Sequence, residues 1–120
     1  MDNTSHNEDR SCKVLRWQKI KSTLNNISVD ELTLALKKDP DAIILDVRTP
    51  IEYEADHLEN AVNFNYLSRT LSEDIDLLDP QKSYYIYCKT GRRSLRVCTL
   101  LKNAGFKQVF NIDKGIELVF

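Results

Sequence analysis

The segment Ala42-Ile43-Ile44-Leu45-Asp46-Val47 constrains this chain most: an apolar run of only a few residues, carrying one acid and closed by Arg48-Thr49-Pro50. A strand with one wet face alternates apolar and polar residues. A run without alternation suits a strand buried on both faces, as in a parallel sheet covered by helices on each side. Tyr84-Tyr85-Ile86-Tyr87, aromatic and β-branched, predicts a second such strand. Ala61-Val62-Asn63-Phe64 and Val109-Phe110 predict shorter ones.

Helix signals fall between these runs. Ser28-Val29-Asp30-Glu31 forms a capping box that opens a helix through Lys38, and Asp39-Pro40 stops it. Thr49-Pro50 caps a short helix carrying Glu52 and Tyr53. Leu67 to Leu78 is expected to be helical in two pieces, ended by Asp79-Pro80. Leu95, Cys98, Leu101 and Ala104 mark one face of a further helix, closed by Gly105 at C′. Repeated alternation of strand and helix predicts an α/β domain.

The 120 residues fit one ordinary domain. With 42% apolar and 29% charged residues, the chain lies near the globular average, which excludes disorder, collagen-like repeats and coiled coil as the overall plan. A net charge of -1 argues against a general nucleic-acid or membrane-surface binder. No apolar run approaches a membrane span or a signal peptide, so a cytoplasmic location without a membrane span is expected. Three cysteines (Cys12, Cys88, Cys98) and two histidines (His6, His57) fit neither a disulfide framework nor a zinc site, and no metal or cofactor is expected. Residues 1–11 read as a disordered polar tail. Residues 12–26 read as a basic amphipathic helix, with Val14, Trp17, Ile20 and Leu24 on one stripe and most of the lysines and arginines off it. The folded domain is expected over residues 27–120.

The segment that carries chemistry is Cys88-Lys89-Thr90-Gly91-Arg92-Arg93-Ser94, between the carboxyl end of a buried strand and the amino end of a helix. In parallel sheets this edge is where ligands bind. A helix amino end offers unpaired N–H groups and a positive dipole end, and Gly91 permits a turn that aims successive N–H groups inward. Lys89, Arg92 and Arg93 add positive charge. Together these favour a Cys88 thiolate over a thiol. Charge is also segregated along the chain. From Asp39 to Asp79 eleven acids face two bases, Arg48 and Arg69; from Gln81 to Ile112 there are seven bases and no acid. The basic part contains Cys88 and favours a small anionic partner.

In these residues the sequence resembles the rhodanese-like sulfurtransferases. The resemblance runs from Ile27 to Gly115 through Leu45-Asp46-Val47-Arg48, Glu52-Tyr53, His57-Leu58, Ala61-Val62-Asn63 and the Cys88 to Ser94 loop. It implies a rhodanese-like α/β fold, with a central, mostly parallel five-stranded sheet flanked by helices on both faces. It also implies that Cys88 carries sulfur as a persulfide. Where the family usually has glycine, before its histidine and before its alanine, this chain has Asp56 and Asn60, residues that tolerate left-handed backbone angles next best.

The family fold also hosts Cys-based phosphatases, whose loop has five residues between cysteine and arginine. Here Arg93 follows Cys88 after four, and Ser94 stands at the next position, so sulfur chemistry is favoured over a phosphatase or an arsenate reductase. The expected activity is a single-domain thiosulfate or persulfide sulfurtransferase. Cys88 would take sulfur from a small anionic donor held by Arg92 and Arg93, and a thiol, a protein partner or cyanide would accept it. A docking or regulatory module without turnover is the alternative. Supporting roles are expected for four residues. Asp46 would accept loop N–H bonds, Arg48 would pair with Glu52, and His57 would make a fold-stabilising hydrogen bond. Ser94 would cap or orient the loop. Cys98 is expected in the core, and Cys12 in or near the tail is a remote candidate for an internal acceptor.

Overall fold

A computed structural model describes Lys19 and residues 23–89 and 92–113 of the chain. Among the described residues from Thr23 on, five strands and four helices alternate: β1 (Asn25–Ile27), α1 (Val29–Lys38), β2 (Ile43–Asp46), α2 (Pro50–Ala55), β3 (Val62–Asn63), α3 (Leu71–Asp76), β4 (Ser83–Tyr87), α4 (Arg92–Asn103) and β5 (Gln108–Ile112). The strands form one sheet in the order β1-β5-β4-β2-β3, and every pairing is parallel. The two runs without polar alternation, β2 and β4, are interior strands, as burial on both faces requires.

Side-chain alternation along these strands builds two cores. Leu45, Tyr84, Ile86 and Val109 point to one face, where Leu95, Cys98 and Leu101 of α4 pack, with Leu71 and Ile75 of α3 at the margin. Ile44, Tyr85, Tyr87 and Ile112 point to the other, against Leu32 and Leu36 of α1 and Tyr53 of α2. Each fully buried aliphatic side chain of this kind contributes about 1.5–3 kcal/mol. Among the described residues no helix is long and apolar enough to cross a membrane.

The capping box expected at Ser28 forms, and Thr49, expected as a cap, forms a second one. The Ser28 and Thr49 side chains accept the backbone N–H of Glu31 and Glu52, and those carboxylates accept the cap N–H in return. At the end of α4, Gly105 adopts φ +94° while its N–H donates to the Lys102 carbonyl and the Phe106 N–H to the Leu101 carbonyl. This is the paired closure that glycine permits at C′.

Four expectations need correction. Asn25 and Asn26, at the end of the span expected as helix, lie in β1, paired with Phe110 and Asn111. The rest of that helix, apart from Lys19 and residues 23 and 24, lies outside the described residues, as do the polar tail with Cys12 and the C-terminal Lys114 to Phe120. The region expected as two helical pieces forms one helix, Leu71–Asp76, because Asn65 and Ser68 fold the preceding residues into turns by accepting the N–H groups of Leu67 and Thr70. The last strand is longer than Val109-Phe110, since the parallel ladders to β1 and β4 extend it. Of the two positions where the family has glycine, Asn60 is left-handed (φ 66°), whereas Asp56 is extended (φ -169°) and needs no such tolerance.

Nothing lies within 4 Å of where a Cβ on Gly105 would sit, so Gly105→Ala carries only the backbone cost. That cost is expected to be about 1 kcal/mol by urea unfolding. Leu101→Ala, at a fully buried position, is expected to cost about 2–5 kcal/mol.

Candidate active site

Cys88 directly follows β4, at the carboxyl edge of the sheet, and is fully buried. The chain turns from there into α4, whose first turn faces the sulfur. The backbone N–H of Ser94 donates to Cys88 Sγ at 3.4 Å, and the thiol lies 3.5 Å from Ser94 Oγ. An N–H in the first turn of a helix has no carbonyl of its own helix to bond, so it is available to a sulfur anion at the positive dipole end. Ser94 itself is fully buried. Lys89 and Arg92 are exposed at the two ends of the loop; Thr90 and Gly91 lie outside the described residues.

The strand end that carries Cys88 is anchored by a buried ionic cluster. Asp46, the last residue of β2, is fully buried, and its Oδ1 accepts the Arg48 backbone N–H at 2.9 Å. This turn brings the Arg48 guanidinium back onto the same carboxylate. Nε donates to Oδ1 and Oδ2 at 3.1 Å each, and an NH2 group donates to Oδ2 at 2.8 Å. The same NH2 group donates to the Asp56 carbonyl. Tyr87, the residue before Cys88, donates its hydroxyl proton to Asp46 Oδ2 at 2.7 Å and accepts the Leu58 N–H at 3.0 Å. From β3, Asn63 Nδ2 donates to the Asp46 and Arg48 carbonyls at 3.1 and 2.9 Å. Burial, then the bond to Asp46, raises the Tyr87 phenol well above its ordinary value, so it remains a donor.

Arg48 therefore pairs with Asp46 and not with Glu52 as expected. The two-residue turn puts its guanidinium against the nearer acid. Glu52, in the first turn of α2, pairs with Arg93 of α4 in a two-pronged contact of 3.0 and 3.2 Å. Arg93 holds the Glu52 carboxyl down at about 2, with the Thr49 cap assisting, while Glu52 raises the Arg93 guanidinium. Cys88, when ionised, also raises Arg93.

His57 is exposed and stacks on Tyr53, ring centroids 3.8 Å apart, with Nδ1 donating to the Tyr53 carbonyl at 2.7 Å. Tyr53 in turn donates its hydroxyl to the Ala61 carbonyl at 2.6 Å. His57 thus supports the segment after α2. Cys98 is fully buried on α4, and burial pushes its thiol up to about 12, which keeps it neutral and inert at physiological pH. An open groove of about 480 Å³ on the same sheet edge is lined by Pro50, Asn63, Phe64, Asn65, Leu77 and Leu78; Cys88 and its partners are not in its wall.

Sequence reasoning gave no role to Tyr87, Asn63 or Asn111, although each bonds into this region. Their signal was a polar group at an inward position of a strand otherwise filled with apolar residues.

The Glu52–Arg93 pair sets a pH dependence. Glu52 titrates lower in the folded protein than in the unfolded chain, so its contribution is full above about pH 5 and is lost as pH falls toward 2. Both side chains are partly exposed, so that contribution is about 1 kcal/mol after screening. The stability difference between wild type and Glu52→Gln is expected to shrink across that window in urea titrations; a constant difference would contradict the pairing.

The geometry agrees with comparisons to known proteins. The family model for the rhodanese-like domain matches residues 28–119. A tRNA sulfurtransferase of Thermoplasma acidophilum is 27% identical over 117 residues, covering 91% of this chain and 23% of that protein. A tRNA uridine(34) hydroxylase of Hamiltonella defensa is 35% identical over 83 residues, covering 66% of this chain and 23% of that protein. The chain thus spans about a quarter of the length of these curated relatives. Among solved structures, the rhodanese-like domain protein of Staphylococcus aureus superposes with a TM-score of 0.68 at 28% identity, covering 78% of this chain and 88% of that one. The polysulfide-sulfur transferase homodimer of Wolinella succinogenes gives 0.72 at 25% identity, covering 91% and 81%. The described sheet order, the loop at Cys88 and the family match agree, and the chain belongs to the rhodanese-like domain family.

Proposed function

We propose that this domain is a sulfurtransferase that carries a sulfane sulfur on Cys88. The observation that supports this reading is the placement of Cys88 Sγ against the first turn of α4, where the Ser94 N–H donates to it. In the first half-reaction the Cys88 thiolate attacks the outer sulfur of thiosulfate. A Cys88 S–S bond forms, the donor S–S bond breaks, and sulfite leaves with the electron pair. A low-molecular-weight persulfide would react alike, releasing its thiolate. In the second half-reaction an acceptor attacks the terminal sulfur and Cys88 leaves as thiolate. Cyanide serves in an assay, and a thiol or a partner protein in the cell. The acceptor supplies its own electron pair, so the cycle needs no metal or redox cofactor.

Arg93 has both prongs on Glu52, so it contributes its charge beside the sulfur. Lys89 and Arg92, exposed at the loop ends, are assigned the role of drawing in the anionic donor. The loop, with four residues between Cys88 and Arg93, favours a terminal sulfur atom over a tetrahedral phosphoryl group.

After incubation with thiosulfate, intact-mass and peptide mass spectrometry are expected to find one added sulfur atom on the Cys88 peptide. Cys88→Ser should lack the adduct and lose transfer to cyanide by at least about a thousandfold. A wild-type protein that takes up no sulfur, or a serine variant that transfers as fast, would sink the proposal.

A further inference from the structure

Asn111 of β5 is 1% exposed and occupies an inward position on the α4 face of the sheet. A buried amide costs stability unless its groups are bonded, and the partners of this one lead to the reactive sulfur. The direction of each bond follows from a group that can only accept. The Leu24 carbonyl accepts a hydrogen bond from Asn26 Nδ2 at 3.0 Å. Asn26 therefore turns its Oδ1 toward Asn111, whose Nδ2 donates to it at 3.0 Å. An amide that donates on one side presents its oxygen on the other, and Asn111 Oδ1 accepts the Ser94 hydroxyl proton at 2.5 Å. A hydroxyl has one proton. With that proton on Asn111, Ser94 Oγ shows lone pairs to Cys88, whose thiol donates to it at 3.5 Å. The chain Leu24-Asn26-Asn111-Ser94 thus ends by making Ser94 an acceptor toward the sulfur.

We propose that Asn111 is a positioning residue for Cys88, competing with the sulfur for the Ser94 hydroxyl proton and so setting how readily Cys88 becomes a nucleophile. When the thiol gives its proton to solvent, the sulfur anion becomes a stronger acceptor for the Ser94 hydroxyl than a neutral amide oxygen is. The hydroxyl then turns to donate to the sulfur anion, and Asn111 Oδ1 loses that bond. The thiolate forms only against the pull of Asn111. This inference rests on Cys88 being the nucleophile proposed above and adds the residue that tunes it.

The other groups that bear on the sulfur are on different elements. Arg93 and Cys98 of α4 feel its charge, Glu52 of α2 and Arg48 after β2 act on Arg93, and Lys89 and Arg92 flank the loop. Asn26 and Asn111, from β1 and β5, are uncharged. Substituting them therefore leaves the charges around Cys88 as they are.

The test is the pH dependence of Cys88 alkylation by iodoacetamide in the full chain, read on the Cys88 peptide by mass spectrometry. Asn111→Leu removes the competitor and is expected to move the midpoint down by about 0.5–1 pH unit. Ser94→Ala removes the donor and is expected to move it up by a similar amount. The double variant should match Ser94→Ala, because Asn111 acts only through that hydroxyl. A merely structural Asn111 would leave the midpoint in place or move it as Ser94→Ala does, and either result overturns the proposal. Asn26→Ala reads the same relay from its far end, should Asn111→Leu not fold. It frees the Asn111 amide to flip and is expected to move the midpoint down; no movement would overturn the proposal. Shifts as expected in a protein that takes up no sulfur from thiosulfate would remove the sulfur-transfer reading and leave the role of Asn111 standing. Sulfur uptake with unchanged midpoints would do the reverse.

Discussion

The buried carboxylate of Asp46 is the contact on which the edge of the sheet depends. Moving a charged carboxylate out of water costs several kcal/mol, and an unpaired one would unfold a domain of this size. Asp46 avoids that outcome with three kinds of donor: the Arg48 backbone N–H, the Arg48 guanidinium and the Tyr87 hydroxyl. Each draws a different segment to one point. Arg48 brings the loop after β2, and through the Asp56 carbonyl the end of α2. Tyr87 brings the last residue of β4, and through the Leu58 N–H the approach to β3. Cys88 is the next residue after Tyr87, so the position of its sulfur follows from the satisfaction of a buried charge one residue away.

A second pair works across the site at longer range. Glu52 is the N3 residue of a capping box, so its carboxylate is already oriented by Thr49 before it meets Arg93. An oriented acid costs less side-chain entropy to pair than a free one. The pair ties the first turn of α2 to the first turn of α4 across 41 residues, and so braces the helix end that faces the sulfur. It also divides the work among the loop cations, because an arginine with both prongs on a carboxylate offers its charge but not its donors.

The parts of this arrangement that were legible in the sequence are local. Buried strands show as runs without alternation, the α1 capping box as Ser28 three residues before Glu31, the α2 cap as Thr49-Pro50, and the α4 stop as Gly105. The Asp46–Arg48 contact spans two residues, yet reading it required knowing that Arg48 folds back, and from the sequence Arg48 was paired with Glu52 instead. β1 was hidden because Asn25-Asn26-Ile27 has no strand pattern of its own; its three residues are specified by the β5 edge they pair with. Asn111 was hidden because an asparagine reads as a turn or surface residue until the alternation of β5 places it beside Val109, on the inward face. What tertiary pairing decides, a one-dimensional pattern cannot display.

Cys88 and Cys98 are equally buried and differ in placement, which is what distinguishes the nucleophile proposed above from a thiol held in the core. Both are fully buried and both pack in the same core. Cys98 lies within α4 among Leu95 and Leu101, where burial dominates and the thiol stays protonated. Cys88 lies just beyond a strand and against the start of that same helix. The backbone N–H of Ser94 is there to meet it, and an ionised Cys88 would raise the guanidinium of Arg93. In the middle of a helix the backbone N–H groups are already spent on carbonyls four residues earlier; in its first turn they are not. One helix therefore supplies both environments, and the part of the helix that a cysteine meets decides which donors its sulfur finds.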